Sequence, residues 1–355
     1  MPDTKGSTLS PVEVTTSVEL TVRPEPARLD VVGIGNALVD VIATADDGFV
    51  ERLGLVKSAM TLVDLDRSQV IYAAMGPTVE ISGGSAANTI AGVASLGGRG
   101  GFAGKVADDA FGDVFRHDFT AQDVELDLAV VPPSDGGTGR CHVLVTPDAQ
   151  RTMATHLGVA NTLVPGDLTG ALFSRTRLTY LEGYLFDLPP AKKAIRDAIE
   201  LTHAADGLVA LSLSDSFCVE RHRRDFLDLV TSEVDVVFAN EAEARALFAA
   251  TDLAHALSAF DEAGVLAAVT LGPRGVAVVI PSGIVEVPAC EVETVVDANG
   301  AGDLFAAGFL YALAQGGDPV EAARLGSICA AEVIVHTGAR PMADLAALAT
   351  AEGLL

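Results

Sequence analysis

Cysteine is scarce: Cys141, Cys218, Cys290 and Cys329 are scattered over 355 positions without a C-x-x-C pair or a dense set of histidines. That spacing suggests neither a disulfide framework nor a zinc site, and a reducing cytosol suits it best. Positive charge is the next shortage. Lysine and arginine number 23 against 48 aspartate and glutamate, a net charge of −25, which repels phosphate backbones and anionic membrane surfaces at long range. Nucleic acid and membrane are disfavoured as partners, although a local basic pocket could still hold a small anion. The opening MPDTKGSTLSPVEVTTSVELTVRPEP has no apolar stretch behind its charges, and no apolar run reaches membrane-spanning length, so neither secretion nor insertion is expected.

Two nucleotide signatures are also missing. The first apolar strand ends in VVGIGNALVD, where Gly33 and Gly35 begin a dinucleotide fingerprint but Leu38 stands in place of its third glycine. The close packing of helix on strand that the fingerprint needs is then not encoded, which removes the strongest support for an NAD-dependent oxidoreductase. GFAGKV is no P-loop either, with Val106 at the Ser/Thr position and Arg99 at the leading glycine. ATP, if it is handled, is bound by other means.

What is present is apolar mass: 49% of the chain is hydrophobic, enough for one large α/β unit with insertions. Residues 1–27 are rich in Thr, Ser, Pro and Glu and read as a disordered tail that at most adds an edge strand. From Leu29 onward LDVVGIG, GFAGKV, LTYLEGY, LVALSLS, VDVVFAN and VLAAVTLG are short buried-strand patterns. Each after the first is expected to lead into a helix, as Ala191 to Thr202 and Glu241 to Ala249 do by their period. Such alternation predicts a doubly wound, mostly parallel sheet with helices on both faces, within one domain spanning 28–355. Segments of about 41–80 and 127–160 alternate polar and apolar residues instead, as in TGRCHVLVT and QRTMATHLG, and are expected to form a small antiparallel lid sheet.

Four stretches carry candidate chemistry. VVGIGNALVD releases Asn36 and Asp40 near the carboxyl edge of the sheet, where they can bond vicinal hydroxyls or serve merely as a turn residue and a solvated charge. In ISGGSAANTIAGVASLGG, Gly83 and Gly84 permit close backbone approach before a small-residue helix over Ala86 to Leu96, with Asn88 one turn in as a ligand or a satisfied buried amide. Asn240 and Glu243 in VVFANEAEARALF make a capping box, and the same carboxylate at a strand end suits water around magnesium. In DANGAGDLFAAGFLYAL, Gly300, Ala301 and Gly302 leave their amides open ahead of a helix expected from about Asp303 to Ala314. That is an anion nest with a carboxylate in the first turn, the parts phosphoryl transfer needs, although an N-cap and a tight turn would also explain it.

Together GGSAANTIAGVASLGGRGGFAGKVADDAFG (83–112) and DANGAGD (297–303) resemble the two signatures of the PfkB carbohydrate kinases, the ribokinase-like family. The similarity runs from Leu29 to about Pro341. Within the family, GIGNALVD, DDGFVERLGL and the Asn299 of DANGAGD are similar to the enzymes that phosphorylate adenosine. The resemblance implies ATP and Mg2+ as cofactors and the 5′-hydroxyl of a nucleoside as acceptor. It makes Asp303 the base, the amides of Gly300, Ala301 and Gly302 the anion hole, and Asp40, Gly84 and Asn88 the ligands of the ribose hydroxyls. It assigns Asn240 and Glu243 to magnesium, Arg151 to the phosphates on closure and Tyr184 to a stack on the base. Thr270, Gly272 and Asn299 fall on the ATP side. VIVHTGARP resembles a loop supplying carbonyls to a monovalent cation such as K+, toward which Asp297 would lend an oxygen.

Two departures keep a sugar acceptor in play, such as ribose, fructose or a ketodeoxy acid. Ala298 stands where threonine is usual, and Glu182 in YLEGY adds a carboxylate near the pocket. A non-catalytic binding protein on the same fold would be expected to have lost Asp303. Monomer and homodimer are equally open, since exposed lid edges could pair between subunits.

Overall fold

The computed structural model describes residues 28–148 and 150–355; the segment 1–27, expected as a tail, lies outside them. In chain order the strands are β1 (Leu29–Ile34), β2 (Leu38–Thr44), β3 (Met60–Leu62), β4 (Val79–Gly83), β5 (Gly100–Ala107), β6 (Glu125–Val131) and β7 (Gly139–Val145). They continue as β8 (Arg151–His156), β9 (Thr176–Glu182), β10 (Leu208–Ser212), β11 (Val236–Asn240), β12 (Leu266–Thr270), β13 (Val276–Ile280) and β14 (Gly283–Val287). Nine of them form the main sheet in the order β14-β13-β12-β11-β10-β9-β1-β5-β6. β6 through β12 run parallel in that order, and β13 and β14 close one edge as antiparallel strands.

The six apolar runs singled out in the sequence are β1, β5, β9, β10, β11 and β12. They read as continuous because successive side chains point into two separate cores. Val31, Leu178, Ala210 and Val236 pack against the helices Ser85–Ser95, Ala301–Ala314 and Pro319–Ile334, whereas Val32, Val209 and Val237 pack against Pro189–Ala204, Ser216–Ser232 and Glu241–Phe248. A strand buried on both faces has no polar alternation to show. β12 departs from the expected rhythm: the turn at Gly272–Arg274 sends the chain straight back as β13, with no helix between.

The small sheet has the order β3-β8-β7-β2-β4. It is mixed rather than antiparallel, because β2 pairs with β7 and β3 with β8 in parallel. β6, which falls in the 127–160 segment expected here, lies instead beside β5 at the edge of the main sheet. Its ELDLAVV alternates because an edge strand keeps part of one face in water. Helices Asp47–Arg52 and Leu65–Ala74 back the small sheet through Val50, Leu53, Ile71, Leu144 and Ala154. Among the described residues no helix is long and apolar enough to cross a membrane.

β1 is the switch point of the main sheet: the chain proceeds from it to β5 and β6 on one side and to β9 through β12 on the other. Open parallel sheets bind ligands outside the carboxyl ends at such a point. The small sheet is inserted there, since β2 follows directly from the end of β1.

Candidate active site

A cavity of about 670 Å3 opens at the switch point, between the carboxyl ends of the main sheet and the inner face of the small one. Asn36, Asp40, Gly84, Asn88, Tyr184 and Asp303 line one part of it, and Asn240, Glu243, Thr270, Asn299, Gly300 and Gly302 another. Met60, Leu62 and Met153 of the small sheet supply apolar wall. Residues gathered from across the sequence thus meet in one place. Gly83, Ala301, Gly272, Arg151 and Asp297 do not line the cavity: Gly83 lies behind Asp40, Gly272 sits in the β12–β13 turn, Ala301 is the first residue of the helix Ala301–Ala314, and Arg151 pairs with Asp297 in the loop before it.

Asp303 is the centre of the arrangement. The helix Ala301–Ala314 begins earlier than its sequence suggests, with Gly300 as cap at φ +80°, so Asp303 falls inside the first turn and is not the cap. Its carboxylate is free of helix capping and accepts hydrogen bonds from Ser85 Oγ at 2.7 Å and Asn88 Nδ2 at 2.8 Å. Burial raises its pKa, opposed by those two hydrogen bonds and by the charge of Arg340. A carboxylate whose ionised form is disfavoured by desolvation is a stronger base than one in water, while its two donors keep it available as an anion. At the same helix start Gly300 and Gly302 line the cavity while the Ala301 N–H is taken by Ala298 O, so the positive end of the helix dipole lies at the cavity wall.

Glycine is required immediately before Ser85. Gly84 caps the helix Ser85–Ser95 at φ +105°, and a Cβ there would lie 2.2 Å from the carbonyl oxygen of Asn36. That contact brings the end of β1 and the Asn88 helix together. A second tie is Glu182, fully buried at the end of β9: it accepts from Asn36 Nδ2 at 2.7 Å, from Asn36 N–H at 3.3 Å and from Ala86 N–H at 3.0 Å. Burial pushes its carboxyl up to about 7 against these bonds. Asp40, on β2, is likewise driven by burial to about 6, against the pull of Arg340 and Arg151. Asn36 Oδ1 and Asn88 Oδ1 are buried and have no partner of their own, a costly state unless a ligand donates to them.

Arg340 was not anticipated as a site residue. Fully wrapped, it donates to Ser82 O at 2.9 Å, Ala87 O at 2.8 Å and Ser82 Oγ at 3.0 Å, and lies over the Phe119 ring at 5.0 Å. It joins β4, the Asn88 helix and the chain's later half, and its charge faces Asp40, Asp118 and Asp303. A lone arginine in TGARP of so acidic a chain was the only signal. Asn240 and Glu243 form the anticipated capping box: Asn240 N–H donates to Glu243 Oε2 at 2.9 Å and Glu243 N–H to Asn240 Oδ1 at 2.9 Å. Both also line the cavity, and burial pushes the Glu243 carboxyl up to about 7.

The lining has six carboxylates (Asp40, Glu182, Asp187, Asp215, Glu243 and Asp303) and a single basic residue, Arg221. A polyphosphate could enter such a cleft only with its charge neutralised, which suits a divalent cation with oxygen ligands. Glu243 and Asn240 offer hard oxygens for waters around Mg2+, whose chemistry is to screen phosphate charge during transfer. Asp303 can take a proton from a hydroxyl, and the nest can stabilise charge on the group that hydroxyl attacks. Fold and site together are those of a phosphotransferase with an alcohol as acceptor. The chain belongs to the pfkB family of carbohydrate kinases, whose sequence profile matches residues 55–345.

Relatives agree with that placement. An adenosine kinase of Saccharomyces cerevisiae is 30% identical over 330 residues, covering 86% of this chain and 94% of its own. The crystal structure of adenosine kinase from Sinorhizobium meliloti is 46% identical, with a TM-score of 0.84 over 92% of this chain and 100% of that one. That of a probable sugar kinase from Rhizobium etli is 42% identical, with a TM-score of 0.85 over 92% and 99%.

Proposed function

We propose that the protein transfers the γ-phosphoryl group of ATP to the 5′-hydroxyl of adenosine or a closely related nucleoside. The observation that carries this reading is the meeting of a half-buried carboxylate, Asp303, with two unpartnered amide oxygens, on Asn36 and Asn88, in one cavity. Those oxygens, with Asp40 and the Gly84 backbone, receive the vicinal hydroxyls of a ribose and set its 5′-hydroxyl before Asp303. Asp303 takes the proton as the hydroxyl attacks. The amides of Gly300 and Gly302 hold the charge of the transferring group, whereas the Ala301 N–H donates to Ala298 O at 3.4 Å; Thr270 and Asn299 contribute the nucleotide side. Tyr184, whose hydroxyl reaches Ser214 O at 3.3 Å, offers its ring to a purine. Four unpaired thiols suit a reducing, cytoplasmic setting.

Nucleoside is favoured over sugar because Glu182, the residue that pointed to a sugar, spends its oxygens on Asn36 and Ala86. It shapes the pocket rather than reading an acceptor. ADP release from ATP and Mg2+ is measured with adenosine, guanosine, inosine, ribose and fructose, and with 5′-deoxyadenosine as control. Adenosine should give the highest kcat/KM and 5′-deoxyadenosine none. Faster turnover of a free sugar than of any nucleoside would overturn the assignment.

A further inference from the structure

Asp297 opens the loop that carries the nest, and the family resemblance makes it an oxygen ligand for a monovalent cation. The residues around it do not fit an ion. Oδ1 accepts the Asn299 N–H at 3.1 Å, and Oδ2 accepts the Gly338 N–H at 3.2 Å. Oδ2 also lies 2.6 Å from Nη2 of Arg151, with both side chains only 8% exposed. Across the loop, the Ile334 carbonyl already accepts the amides of Val296 at 2.8 Å and Asp297 at 3.2 Å, and Gly338 turns its N–H to Asp297. A potassium ion needs a ring of oxygens in place of its hydration shell. Here donors occupy the carboxylate, and a metal ion beside a buried guanidinium would meet like-charge repulsion in a poorly screened place.

We propose that Arg151 is the resident cation of the 297–302 loop, taking the place of a monovalent metal and positioning the amide nest. The inference rests on reading that loop as the phosphoryl-binding element. Arg151 arrives on β8, so the small sheet supplies the counter-charge, and the nest is fully ordered only when that sheet is docked. Nη2 makes no aligned hydrogen bond, so the contact with Asp297 is an ion pair held by charge. Arg151 is a positioning residue in the resting enzyme.

The test uses the full chain at fixed ionic strength in potassium, sodium or tetramethylammonium chloride, reading both ADP release and the melting midpoint. Wild-type kcat should agree within about twofold across the three salts, since only general screening is shared among them, and the midpoint should not move. Arg151→Met should lose about tenfold or more in kcat and regain part of it with potassium, whereas Arg151→Lys should keep most activity without a potassium response. A wild-type kcat raised more than about fivefold by potassium over tetramethylammonium, or a midpoint raised by potassium alone, would overturn the proposal. Should the Met variant not fold, the wild-type salt series and the Lys variant still decide it. Absence of ADP release with every acceptor in every salt would sink the kinase reading instead, and the melting series would still judge the ion.

Discussion

Replacing Asp303 by Asn isolates the proposed base with little structural disturbance. The carboxylate has two side-chain partners, Ser85 Oγ at 2.7 Å and Asn88 Nδ2 at 2.8 Å. Asn88 can only donate from that nitrogen, so the new amide would turn its oxygen to Asn88 and its nitrogen to Ser85, whose hydroxyl can accept. Both contacts survive. Because burial disfavours the ionised carboxylate, losing the charge also removes a penalty, and stability should change by less than about 1 kcal/mol. Catalysis should respond differently, since an amide cannot take a proton: kcat should fall by about 10²- to 10⁴-fold, or roughly 3–5 kcal/mol of barrier. Coupled ADP release at saturating ATP and nucleoside reads kcat, and urea unfolding reads the fold. A variant that unfolds like its parent and turns over within about tenfold of it would place the base elsewhere.

Two further perturbations address the scaffold. Gly84→Ala forces a side chain onto a residue at φ +105° and puts Cβ 2.2 Å from the Asn36 carbonyl; a loss of about 2–4 kcal/mol is expected in denaturant unfolding, and an unchanged midpoint would contradict this contact. Glu182 has its folded pKa raised from 4.5 to about 7, so folding takes up a proton between those values and stability falls as pH rises through that window, by about 3 kcal/mol from this group. Urea unfolding at either end of the window should show the fall in the parent and a shallower one in Glu182→Gln; equal slopes would show that Glu182 is not the group titrating.

The sequence revealed most where physics is local. Apolar runs long enough to be buried on both faces marked six strands, and the small residues Gly300, Ala301 and Gly302 marked a helix start beside the cavity. β6 was misplaced because ELDLAVV at a sheet edge alternates as a lid strand would. β13 was missed because nothing in VLAAVTLG announces whether a helix or a tight turn follows. The site divided along the same line. Asn240 and Glu243, three residues apart, declare their bond in the sequence. The Arg151–Asp297 pair, the Arg340 clamp and the Glu182 ties each join residues more than 90 positions apart, and polar contacts over such separations leave no periodic trace. Ser85 illustrates the limit: nothing in the sequence singled it out, yet it donates to the central carboxylate.

The small sheet imposes an order on assembly. Its middle is the parallel pairing of β2 with β7, Leu38 opposite Gly139, so β2 and β4 emerge long before the strand that completes them. Until then the β2–β4 pair offers an open strand edge, the kind that pairs with other chains. β5 and β6 must first be in register, because they bring the chain back to where β7 can reach β2. Closing loops of that length is slow. The nascent chain should therefore be most exposed to self-association between synthesis of β4 and of β8.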